Sequence, residues 1–295
     1  MQYNINGKEY TYLTNIKDNQ KLRQSFNALS EKTFGLNFDP WYENGYWGEQ
    51  YIPHVLLDRD RVVANVSVNI IDTLWKNQSK RYIQLGTVMT DCEYRQRGLS
   101  RWLIERILET YKEECDAIYL FANDSVLDFY PKFGFVKRNQ YQCQIPIIPK
   151  VGQLRLLDMS SKEDKALLIE KYRKSNPFSA LPMEENVGLL MFYCSQFLKD
   201  NVYYIEKYDA IVIMEQEDEN MICYDIFCDA NNDLENLLST IARAQTKNIL
   251  LGFTPKKSDS YENFILKGED TLFVLEEAED IFAGNKIMFP LLSHA

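Results

Sequence analysis

Tyr94-Arg95-Gln96-Arg97-Gly98-Leu99-Ser100-Arg101 stands between a run of strand character and a run of helical character. Upstream, Arg81 to Thr90 (Arg-Tyr-Ile-Gln-Leu-Gly-Thr-Val-Met-Thr) is rich in branched and aromatic residues, which favours a strand. Downstream, Leu99, Trp102, Leu103, Ile107, Leu108 and Tyr111 recur at three- and four-residue spacing, one apolar face of a helix. A helix that begins here aims unpaired backbone N–H groups and the positive end of its dipole at the loop. Gly98 removes the Cβ that would keep an anion away. Arg95, Arg97 and Arg101 carry the charge from Tyr94 to Leu103, so a chain of net charge −10 is locally positive here. The stretch from Arg95 through Gln96, Arg97, Gly98, Leu99 and Ser100 to Arg101 therefore reads as a cradle for a pyrophosphate ligand. A Walker loop is excluded because no Gly-Lys-Ser/Thr follows, and a dinucleotide fingerprint would need two more glycines.

At 295 residues, with 45% hydrophobic and 13% aromatic residues, the chain has material for two ordinary globular domains. No run approaches the roughly 18 uninterrupted apolar residues of a membrane span, and Met1 to Asn6 lacks the basic and apolar regions of a signal peptide. A cytoplasmic protein with no membrane partner is expected. The six cysteines are scattered without a C-x-x-C pair, and only His54 and His294 could join them, so neither a metal site nor a disulfide framework is expected. The acidic balance, with pI ≈ 4.9, disfavours nucleic acid and favours cationic small molecules, although most of the carboxylates read as ordinary solubilising groups.

Ahead of the loop, Glu9 to Leu13 reads as a strand and Lys21 to Phe34 as a helix. Asn37 to Tyr51 reads as a structured loop over the site, crowded with aromatics and with Asp39, Glu43 and Glu49; Trp41 and Trp47 are read as its packing anchors. Ile52 to Leu57 and Arg61 to Ile71 form a hairpin whose second arm alternates Val62, Ala64, Val66 and Val68 with Val63, Asn65, Ser67 and Asn69, which implies one buried face. Beyond the helix, Ala117 to Ala122 is a continuous apolar run that suits a central strand. Asn123 then caps a short helix, Val126 to Tyr130, which bends or ends at Tyr130 because Pro131 follows. Phe133 to Ile145 supplies two more strands.

Arg95-x-x-Gly98-x-Ser100 after such a strand resembles the acyl-CoA loop of the GNAT acyltransferase superfamily, Gln/Arg-x-x-Gly-x-Gly/Ala, with Ser100 departing at the last position. Phe129-Tyr130-Pro131-Lys132-Phe133-Gly134-Phe135 resembles the second signature of that superfamily, Phe-Tyr-x-Lys-x-Gly-Phe. The order of elements agrees too, so residues 1–148 are expected to form a GNAT acetyltransferase domain with a mixed α/β sheet. Pro146, Pro149 and Gly152 break the pattern there. In residues 149–295 the order of strands and helices repeats, which implies a tandem GNAT-like fold. The second copy carries Cys228-Asp229-Ala230-Asn231-Asn232-Asp233 at its loop, acidic and without glycine. It is expected to be degenerate, walling the substrate cleft or forming an oligomer contact.

The resemblance implies direct transfer from acetyl-CoA to the amine of a small molecule or peptide, without a metal. It places Val88 and Met89 along the pantetheine and Asn123 at a further cofactor contact, with a helix cap as the equal alternative for Asn123. Tyr130 matches the general acid of the family. Arg81 to Thr90 holds no glutamate where many relatives place a base, and Asp91 and Glu93 lie just beyond it. Some tandem relatives use their terminal carboxylate, so Ala295, or less readily His294, is the candidate base; the apolar end Phe289 to Ala295 is expected to pack against the protein. A non-catalytic acyl-CoA sensor and an aminoacyl-tRNA-dependent transferase are the competing readings, the latter calling for a basic RNA-binding face that this acidic chain lacks.

Overall fold

The computed structural model describes residues 1–150, 152–257, 261–268, 270–276 and 280–295. The chain opens with β1 (Gln2–Ile5) and β2 (Lys8–Thr14), joined through Asn6 and Gly7, both at positive φ. Asn-Gly is a strong hairpin signal, but Gln2–Ile5 is too short and polar to announce its own strand. Helix α1 (Gln20–Phe34) is capped by Asn19, whose side chain accepts from Leu22 N–H, and ends at Gly35 with φ 70°. A single short helix, α2 (Asp39–Glu43), stiffens the aromatic segment. Then come β3 (Tyr51–Asp58), β4 (Arg61–Trp75), β5 (Gln78–Thr90), α3 (Leu99–Tyr111), β6 (Ala117–Asn123) and β7 (Phe135–Arg138). The helix expected over Val126 to Tyr130 is instead two 3₁₀ turns, Asp124–Val126 and Tyr130–Phe133. Asn123 caps the first turn, and Tyr130 opens the second with Pro131 behind it.

The remaining elements are β8 (Tyr141–Pro146), β9 (Arg155–Leu156), α4 (Lys162–Tyr172), β10 (Met183–Glu184), α5 (Val187–Phe192), β11 (Val202–Ile205), β12 (Ala210–Glu217), β13 (Asn220–Phe227), α6 (Leu234–Ile241), β14 (Asn248–Leu251), β15 (Glu262–Ile265) and β16 (Asp270–Leu275). The parallel crossover β13–α6–β14 repeats β5–α3–β6, which makes the architecture a tandem of two mixed α/β GNAT-like units.

The two sheets do not divide where the chain was expected to. The first runs β1-β2-β3-β4-β5-β6-β16-β7, with β10 paired to β4; the second runs β15-β8-β14-β13-β12-β11-β9. Thus β8, expected beside β7, lies between β14 and β15, and β16 from the far end of the chain takes its place. Their sequences account for the exchange. Leu272-Phe273-Val274-Leu275 is continuously apolar and buried, as an interior strand covered on both faces requires. Tyr141-Gln142-Cys143-Gln144-Ile145 is more polar, and Gln142 Nε2 finds the Leu251 carbonyl at 3.1 Å in the second sheet.

Leu99, Leu103, Ile104 and Ile107 of α3 pack on one face of the first sheet, while Phe26 and Leu29 of α1 with Trp41 and Trp47 pack on the other. The β3–β4 hairpin is therefore buried on both faces, and Asn65, Ser67 and Asn69, expected on an outer face, are buried. A third cluster, including Tyr82, Tyr119, Leu190, Phe227 and Phe289, joins the two halves. Among the described residues no helix is long and apolar enough to cross a membrane.

Candidate active site

Strands β5 and β6 pair in parallel from Tyr82↔Ala117 to Leu85↔Leu120, and their pairing ends there. Just beyond, Thr87 turns to φ 47° and the β4–β5 register shifts between Asn65 and Ser67. Buried polar groups hold this bulge. Asn65 Nδ2 donates to the Thr87 carbonyl (2.8 Å) and to Ser67 Oγ (2.9 Å); Ser67 Oγ donates to Tyr51 Oη (2.9 Å), which also meets Thr87 Oγ1 (3.0 Å). The alternation of β4 that reads as a solvent-facing polar row is this network. The parted strands open a cleft of about 770 Å³, with Gly86 to Thr90 on one wall, Phe121 to Asn123 on the other and the arginine loop at one end.

At that end Gly98 caps α3 with φ 76°, and a Cβ there would lie 2.8 Å from Asn6 Nδ2, which itself donates to the Arg97 carbonyl (2.9 Å). Gln96 also has positive φ, 61°. Ser100 Oγ meets Thr90 Oγ1 at 2.7 Å and ties the helix start to β5. Arg95, Gln96, Gly98, Leu99, Ser100 and Arg101 line the cleft; Leu99 is otherwise buried in the core. The Arg97 guanidinium turns back, donating to the Glu93 carbonyl (2.7 Å) and lying over the Tyr94 ring. Val88 and Met89 border the cleft in the bulge, Met89 only 2% exposed. Asn123 lines the cleft and also caps its turn, accepting from Ser125 N–H at 3.1 Å, so both readings of it are compatible.

Tyr130 lines the same cleft and is buried against Phe129, Phe135 and Phe273 of β16. Burial pushes its phenol up to about 12, above the ordinary value near 10.

The chain's end crosses both sheets to reach this point. Phe289 stacks on Tyr119 with ring centroids 4.1 Å apart, and its N–H donates to Gln140 Oε1 (3.0 Å). Leu291 N–H donates to the Gly252 carbonyl (2.8 Å), and Tyr193 Oη to the His294 carbonyl (2.6 Å). Gln84 Nε2 donates to the main-chain oxygen of Ala295 at 3.2 Å. A Cβ at Gly86 would stand 2.5 Å from that oxygen, so only glycine lets Ala295 lie on β5. Ala295 lines the cleft and also a second, smaller pocket. The His294 ring lies flat on Phe121 (3.8 Å), and burial pushes its imidazole down to about 3, which leaves it neutral and a poor proton acceptor. Asp91 is buried rather than solvent-facing. Burial alone would raise its carboxyl, but the Glu93 N–H, Lys32 and Arg61 outweigh it and hold it low; Glu93 is exposed beside Arg61. Gln84, Gly86 and Tyr193 escaped the sequence reading. A glycine inside a strand run is the one signal that points to a close approach there.

A family profile described as an acetyltransferase (GNAT) domain matches residues 18–137. No curated protein matches the chain. Among solved structures it is similar to a probable N-acyltransferase from Enterococcus faecalis V583 (12% identity, 90% of this chain and 72% of that one, TM-score 0.58). It is also similar to GCN5-related N-acetyltransferases from Kribbella flavida (13%, 90% and 70%, 0.57) and Anabaena variabilis (16%, 90% and 72%, 0.56). At these identities the likeness is one of fold, and it extends over both sheets. The profile match includes β3 to β6 and the loop between β5 and α3, so residues 18–137 are identified as a GNAT acetyltransferase domain.

Proposed function

We propose that the chain transfers an acetyl group from acetyl-CoA to the amine of a small molecule or peptide. The observation that carries this reading is the parting of β5 and β6 directly beside a glycine-led helix start flanked by arginines. A ligand with a pyrophosphate at one end and an extended amide chain at the other fits such a cleft. The first N–H groups of α3 with Arg95 and Arg101 would hold the phosphates, and the unpaired edge of β5 from Gly86 to Met89 would take the chain by strand addition. Acetyl-CoA would supply the activated acetyl group as a thioester.

The protein's own groups then handle protons. An amine of pKa about 10 is almost wholly protonated at pH 7, which costs about 4 kcal/mol unless a group accepts that proton. The carboxylate of Ala295, fixed by Gln84 and Gly86, is proposed as that acceptor. Tyr130 keeps its phenolic proton at neutral pH, and its Oη is proposed to release it to sulfur as negative charge develops there. Nitrogen gives up two protons in all, the first from the ammonium before attack and the second as the amide forms; one proton reaches sulfur through Tyr130, which is reprotonated in turn, and one is released to solvent per turnover.

Titrating the protein with acetyl-CoA in a calorimeter, then assaying amines by released thiol, tests the reading. One site per chain is expected, and Tyr130→Phe should lower turnover about 10²-fold while acetyl-CoA affinity is nearly kept. Tight binding with no thiol released by any amine would instead favour an acyl-CoA sensor.

A further inference from the structure

We infer that the acceptor amine is carried on a compact apolar or aromatic stem with a single positive charge. This rests on the acetyl transfer proposed above and narrows its substrate. Beside Ala295 lies a pocket with about 60 Å³ of open space. Its walls are Phe38, Trp41 and Tyr51 from the first half, and Leu189 and Phe192 from α5 of the second. The rings form a rigid box: Phe38 stacks on Tyr51 (5.5 Å) and on Phe192 (5.6 Å), and Trp41 stands edge-on to both.

Trp41 and Asn186 hold the box together, while Gln50 Nε2 donates to the Glu185 carbonyl (3.3 Å) and Asn69 Nδ2 to the Gln84 carbonyl (3.4 Å). Trp41 Nε1 donates to the Gly188 carbonyl (2.7 Å), Asn186 Nδ2 to the Ile70 carbonyl (3.3 Å), and Asn186 Oδ1 accepts from Leu189 N–H (3.0 Å). Among the described residues no Asp, Glu, Lys or Arg side chain lines the pocket. Of the carboxylates of the neighbouring aromatic segment, Asp39 is held by Arg23 and Glu49 by Lys17, and Glu43 does not line the pocket. The Ala295 carboxylate is thus the anion available to an ammonium group there. A second ammonium would be desolvated against rings without an anionic partner. The space corresponds to about four to six water-sized spheres, which suits a branched alkyl chain or one aromatic ring. The acidic composition of the whole chain, which suggests cationic substrates in general, does not extend into this pocket.

The test compares kcat/KM by thiol release for the full chain with isopentylamine, benzylamine, spermidine, glucosamine and a lysine-containing peptide. The two apolar monoamines are expected to exceed the others at least tenfold. Phe192→Glu, which brings a carboxylate to the wall, should shift preference towards spermidine at unchanged acetyl-CoA affinity. In parallel, quenching of tryptophan fluorescence by benzylamine and by spermidine in the presence of CoA reads the pocket without turnover, with Trp41→Phe as control. Equal or better turnover of spermidine, glucosamine or peptide overturns the inference and leaves acetyl transfer standing. Acetyl-CoA binding with no amine consumed overturns acetyl transfer; saturable, Trp41-dependent quenching by benzylamine alone would still support the pocket's selectivity, and its absence would overturn that as well.

Discussion

A Cβ at Gly98 would stand 2.8 Å from Asn6 Nδ2, and one at Gly86 would stand 2.5 Å from the main-chain oxygen of Ala295. The two glycines serve different ends of one cleft, so substitutions there should separate binding from chemistry. Gly98→Val strains a residue at φ 76° and drives its Cβ onto Asn6 Nδ2, which holds the Arg97 carbonyl at the helix start; acetyl-CoA affinity measured by calorimetry is expected to fall at least tenfold, about 1.4 kcal/mol. Gly86→Ala displaces Ala295; kcat is expected to fall at least tenfold with acetyl-CoA affinity changed only a few-fold. Gly98 is legible in the sequence because it falls between a strand pattern and a helix pattern with arginines on either side. Gly86 is not, because its constraint comes from the other end of the chain, and periodicity carries no information about which distant segment will arrive.

Among elements, β16 is the least expected in its place and the most consequential. It lies between β6 and β7, and Phe273 on it packs beside the Tyr130 ring, so a strand from the second half fixes the tyrosine of the first. Phe273→Ala removes a side chain that is 3% exposed; it is expected to cost about 3–5 kcal/mol in denaturant unfolding and to lower kcat more than it alters acetyl-CoA binding. The strand-to-helix unit around the loop is legible because local pattern alone specifies it. The exchange of β8 and β16 is not, because several short strands could serve a vacant edge and tertiary packing chooses among them. The polar residues of β4 mislead for a related reason: Asn65, Ser67 and Asn69 alternate like a solvent face but donate internally to Thr87, Tyr51 and Gln84.

At the scale of the molecule, the exchanged strands make the two halves interdependent. A fragment ending at residue 148 would lack β16 and expose the edges of β6 and β7, and is expected to lack cooperative unfolding by circular dichroism. Stability should also depend on pH through Asp225, whose carboxyl burial pushes up to about 7, against the opposing hydrogen bonds from Asn176 Nδ2 (2.6 Å) and Ile226 N–H. Its folded pKa lies above the unfolded value near 4, so its contribution is full below pH 4 and is lost as pH rises to about 7. The isosteric Asp225→Asn is therefore expected to stabilise the protein at pH 8 by on the order of 4 kcal/mol and to change it little at pH 4, as read by denaturant midpoints. The measurement that bears most directly on acetyl transfer at this junction appends two glycines after Ala295, which moves the carboxylate while leaving the loop, the cleft and Tyr130 intact. Acetyl-CoA affinity within twofold of the unextended chain, with amine-dependent thiol release reduced about 10²-fold, is the expected result; undiminished thiol release by the extended chain would contradict it.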